Sequence, residues 1–212
     1  MDDLRALGAR SVPVVSRNGE FVFAQVISDV VQFLDLEEDT APALSPSDLA
    51  EKYRRVLDAA VAYMHQMPAD ALERELPNRP RSWRVLMHHV FQIPNAFLDA
   101  QAENRSLTYE DLLAGPPETM QDGPTIAAFG ESVREKFSAW WESARESDFG
   151  ATVPAYFGDT TLHELFERTV WHSTQHARQI ASLLEQVNIS PKPEMNQELL
   201  DGLPLTEKVW DE

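Results

Sequence analysis

Apolar residues recur at intervals of three and four over four long stretches of this chain, the spacing that lines one face of an α-helix. The last stretch, residues 161–186, is the most regular. At about 100° per residue, Leu162, Leu165, Thr169, His172, His176, Ile180, Leu183 and Val187 point within about 40° of one direction. An earlier stretch, residues 48–67, repeats Tyr53, Leu57, Ala60, Met64 and Met67, with Ser45 or Ser47 as its cap and His65 off the stripe, at the surface. Residues 82–104 form the second helix on Leu86, Val90, Ile93 and Phe97, with Pro94 expected to loosen or kink it. The third begins at Thr125 and carries Ile126, Phe129, Val133, Phe137, Trp140 and Trp141 as core residues. Between these helices, residues 68–80 and 105–124 are rich in turn residues, and residues 109–113 are a short helix within the second crossing. Residues 148–160 lead back to the last helix, after which residues 191–212 read as an extended tail anchored on the bundle by Leu203, Leu205, Val209 and Trp210. The expected fold is mainly α: a four-helix bundle over residues 47–190 with metal or ligand sites built between facing helices.

The first 37 residues follow a different rule. Short β-rich runs at residues 12–15 and 21–23 flank Asn18-Gly19, a strong hairpin signal, and residues 26–36 are a helix. A linker, residues 38–46, joins this ββα fragment to the bundle. The succession Val12-Pro13-Val14-Val15, Asn18-Gly19 and a helix running to Phe33-Leu34 resembles the C-terminal half of a glutaredoxin, in which the Val-Pro bond is cis. The strand, cysteine motif and helix that would complete a glutaredoxin are not in the sequence, so the resemblance implies no redox activity.

Composition narrows the functional classes. A net charge of -17 over 212 residues repels phosphate backbones, which argues against nucleic-acid binding. The chain has no cysteine, so thiol chemistry requires a thiol from outside. Neither a leader peptide nor a bilayer-length apolar run is apparent, and a soluble cytoplasmic protein is the expectation.

The histidines change the picture most. His172 and His176 are one helical turn apart inside a buried stripe, so both imidazoles project toward one point, as two ligands of a divalent metal must. Core histidines hydrogen-bonded to their neighbours are the other reading. On the second helix His89 lies about 80° from the buried direction and His88 points roughly opposite, which makes His89 the better third ligand.

A Trp-containing start to the second helix leading to His89-Val90, followed by His172-x-x-x-His176 on the fourth, resembles the DinB-like (YfiT-like) superfamily over residues 47–190. The resemblance implies an up-down-down-up bundle, often a homodimer, with His89, His172 and His176 binding one divalent ion, nickel or zinc. It also implies an enzyme that uses a low-molecular-weight thiol as cosubstrate on a small electrophilic molecule, as a thiol transferase does. The family's thiol-dependent isomerase has glutamate where this chain has His172, which disfavours isomerase activity. A non-catalytic, stress-associated metal-binding protein is the alternative, followed by a structural bundle without metal.

Overall fold

The computed structural model describes residues 14–24, 26–38, 40–76 and 79–210. The chain divides into two units, residues 1–42 and 43–212. In the first, strands β1 (Val14–Arg17) and β2 (Glu20–Phe23) pair antiparallel with Arg17 opposite Glu20. Asn18 and Gly19 between them take φ of 56° and 85°. Two successive positive φ angles give the tight turn that matches strand twist, and Asn-Gly adopts it most readily. Helix α1 (Ile27–Phe33) lies against β2 and is shorter than expected, the chain leaving it with Asp35 at φ 55°. None of its residues is buried. The Val12-Pro13 bond and the start of the expected first strand lie outside the described residues.

The second unit is organised by four long helices: α2 (Pro46–Gln66), α3 (Trp83–Ala102), then, after the short α4 (Tyr109–Leu113), α5 (Gly123–Ala144) and α6 (Leu162–Gln186). Each begins at a side-chain cap that satisfies free backbone donors, an effect worth about 1 kcal/mol apiece. Ser45 caps α2 and Ser82 caps α3, while the pairs Asp122/Thr125 and Thr161/Glu164 form reciprocal capping boxes on α5 and α6. Helix α5 starts two residues before Thr125 because Gly123 and Pro124 form its first turn rather than the end of the crossing. Proline lacks an N–H that this position does not need. Glycine is required there, since a Cβ on Gly123 would run into the Met64 carbonyl at the end of α2.

Helices α2 and α3 each pack against both α5 and α6 and touch one another little, so they are diagonal partners. The contacts give the directions. Gly123 meets Met64, Arg134 bonds Asp58 at 2.8 Å and Phe137 meets Tyr53, so α5 runs antiparallel to α2. His88 meets Phe129 and Phe97 meets Trp140, so α3 and α5 are parallel. Val90 meets Ser173 and Phe97 meets Phe166, so α6 runs against α3. The bundle is therefore up-down-down-up, and residues 103–122 must travel its length to connect the parallel pair.

Two short hairpins were not foreseen. Strands β3 (Glu75–Leu76) and β4 (Arg79–Ser82) lead into α3, and β5 (Thr152–Ala155) with β6 (Gly158–Thr161) leads into α6. After α6 the tail contains helix α7 (Gln197–Leu200) and buries Leu199 and Leu203 against the bundle, with Leu205 and Trp210 half-buried. No helix among the described residues is long and apolar enough to cross a membrane.

Candidate metal centre

Antiparallel pairing of α3 and α6 brings His89 against His172 and His176. Ring centroids are 5.0 Å apart for His172 and His176, 5.0 Å for His89 and His176, and 5.7 Å for His89 and His172. One nitrogen of each ring lies within 4.8 Å of the other two. Three nitrogens around one tetrahedral ion would be about 3.4 Å apart. Among the described residues the group comprises three imidazoles, a donor set that could hold a divalent transition-metal ion.

His88 is turned away from α6 but is not at the surface: it is 4% exposed and stacks on Phe129 of α5, with centroids 5.1 Å apart and planes 12° from parallel. Helical phase measures direction relative to one neighbour, and α3 has two. His65 is exposed.

One ring nitrogen of His176 and one of His89 are engaged by groups that the sequence pattern did not single out. His176 Nδ1 lies 2.7 Å from Gln179 Oε1, and Gln179 Nε2 donates to the Val209 carbonyl at 3.1 Å. His89 is hydrogen-bonded to the Leu112 carbonyl in α4, and Gln92 ties that helix to α3 by donating to the Asp111 carbonyl at 2.8 Å. A buried polar side chain within an apolar stretch, as Gln179 is, was the available signal. The Leu112 carbonyl, being backbone, left none.

Pro94 has a definite structural result. Helix α3 continues through it, but Pro94 has no N–H to give to the Val90 carbonyl. That carbonyl instead accepts from Ser173 Oγ at 2.7 Å, deep in the core. The residue after His89 is thereby bonded to the residue after His172.

Burial and neighbouring positive charge hold His89, His172 and His88 below the ordinary imidazole range. Burial, then the positive charge of His176, Arg81 and His88, pushes His89 down to about 3. Burial, then His176, His89, Arg168 and Arg81, holds His172 well below its ordinary range. Burial and Arg84 bring His88 down to about 4. Arg168 is one turn before His172 on the same face of α6. Its guanidinium lies 4.6 Å from the Phe157 ring centre and 5.8 Å from that of Trp171, and its Nε donates to the Tyr156 hydroxyl at 3.1 Å.

A separate cleft of about 500 Å³, lined by Leu98, Gln101, Lys136 and Trp140 among others, opens near the far end of α3. It is displaced about 13 Å along the helix from His89.

A scan against protein-family models finds no match for this chain. A search of curated proteins finds none either. What fold and site define is a mainly helical protein whose four packed helices bring together a buried His89, His172 and His176 group that could hold a metal.

Proposed function

We propose that the second unit is a DinB-like metalloprotein that binds one divalent ion, nickel or zinc, through His89, His172 and His176. We further propose that it is an enzyme joining an external low-molecular-weight thiol to a small electrophilic substrate. The observation that carries this reading is the convergence of three ring nitrogens, from two antiparallel helices, within 4.8 Å. When bound, the ion would supply Lewis acidity and hold a thiol as its thiolate. The chain's own groups suit that chemistry. Burial keeps His89 and His172 in the neutral form that ligates. The charges of Arg81 and Arg168 add to burial in disfavouring a proton on His172. With no cysteine in the chain, the thiol comes from elsewhere.

The test is metal analysis of protein purified without a histidine tag, followed by thiol-consumption assays over a panel of low-molecular-weight thiols and small electrophiles. One ion per chain and metal-dependent thiol consumption are expected. Metal-free protein that fails to take up zinc or nickel would overturn the reading. Bound metal with no thiol consumed would leave the non-catalytic metal-binding protein in its place.

A further inference from the structure

We infer that the C-terminal segment, residues 206–210, is part of the metal centre, and that Gln179 is the positioning residue through which it acts on His176. The inference rests on the proposed metal reading and extends it to groups that do not touch the ion.

The segment runs along α6 and is held by side chains of that helix. Arg178 donates to the Thr206 carbonyl at 2.8 Å and Trp210 Nε1 to Ser182 Oγ at 3.2 Å. The Val209 carbonyl receives two donors, Gln175 Nε2 at 2.9 Å and Gln179 Nε2 at 3.1 Å. A backbone carbonyl can only accept, and two donors fill its two lone pairs. The amide nitrogen of Gln179 must therefore face Val209, which turns Oε1 toward His176 Nδ1, 2.7 Å away. An amide oxygen also only accepts, so His176 carries a proton on Nδ1, and in the neutral ring the nitrogen able to ligate is then Nε2. Reversing the amide would set oxygen against oxygen at Val209, although the ring could still accept at Nδ1 by carrying its proton on Nε2, so it is the Val209 carbonyl that fixes the amide and through it the proton. The tail thus selects the ligating tautomer of His176 through one side chain.

Outer partners of ligating histidines contribute about 10- to 100-fold in metal affinity. Gln179→Ala and a chain ending at Leu205 should each weaken zinc binding by about that factor in competition with a chromogenic chelator. Both should alter the visible spectrum of the cobalt-loaded protein. Combining them should cost no more than either alone, because they break one relay. Gln179→Glu should keep the affinity, since a carboxylate still accepts from Nδ1–H, while repulsion from the Val209 carbonyl speeds hydrogen exchange over residues 206–210. Circular dichroism checks folding, and Gln179→Ala decides alone if the shortened chain does not fold. His172→Ala separates the two levels of the argument. If the parent binds one ion, His172→Ala loses it and Gln179→Ala binds as tightly as the parent, the positioning role is overturned and the metal site stands. If His172→Ala binds like the parent, both fall.

Discussion

The interface between α3 and α6 is filled in two ways along its length. At one end Phe97 stacks on Phe166 with centroids 6.0 Å apart, and Phe137, Trp140, Trp141 and Phe149 close around the same ring. At the other end the same two helices meet through His89, His172 and His176. The aromatic end is held by shape and area, about 1.5–3 kcal/mol for each large side chain taken out of water, and no atom has to be addressed individually. The histidine end needs each ring nitrogen directed. The crossover reaches it with the Leu112 carbonyl, and the tail reaches it through Gln179 and Val209. Rigid apolar packing at one end lets the other carry directional, less stabilising groups.

The sharpest break in this comparison is loss of a ligand. His172→Ala, His176→Ala and His89→Ala should abolish tight metal binding, while His88→Ala, whose ring faces Phe129, should retain it; calorimetric titration with zinc reads all four. Next is the aromatic end: Phe166→Ala should cost about 3–5 kcal/mol in urea unfolding, far more than any histidine variant costs the metal-free protein. Ser173→Ala should cost about 1–3 kcal/mol by leaving the Val90 carbonyl buried without its donor, and should lower metal affinity as α6 loses its tie to α3. A further effect is graded with pH. His88 and His89 are lowered from 6.5 to about 4 and about 3 in the folded chain, so below 6.5 the unfolded chain takes up protons that the folded chain refuses. Stability of the metal-free protein should be full above about 6.5 and decline as pH falls toward 4, and His88→Phe should flatten that decline relative to the parent.

The long helices were legible because each buries a stripe, and the histidine pair was legible because an i, i+4 spacing within such a stripe fixes convergence without knowledge of the partner. Three features escaped for separate reasons. The hairpins before α3 and α6 have strands of two to four residues interrupted by Pro80 and Pro154, too short for alternation to register. Helical phase turns His88 away from α6 but does not show what it meets, because α3 is buried against α5 as well as α6. Ser173 and Gln179 bond groups 83 and 30 positions away, and no local pattern encodes a partner at that distance.

The bond from Ser173 to Val90 also acts as a stop against sliding. Two antiparallel helices faced with regularly spaced side chains can slip by one turn, about 5.4 Å, and still pack. Such a slip would move His172 into the place of His176 and bring Arg168 to the place of His172, putting a permanent cation where an imidazole belongs. The single carbonyl that Pro94 leaves free on α3 exists at one level only, and the Ser173 hydroxyl meets it in one setting of the two helices. An imino acid that weakens its own helix thereby sets the other helix at the one level where three imidazoles meet.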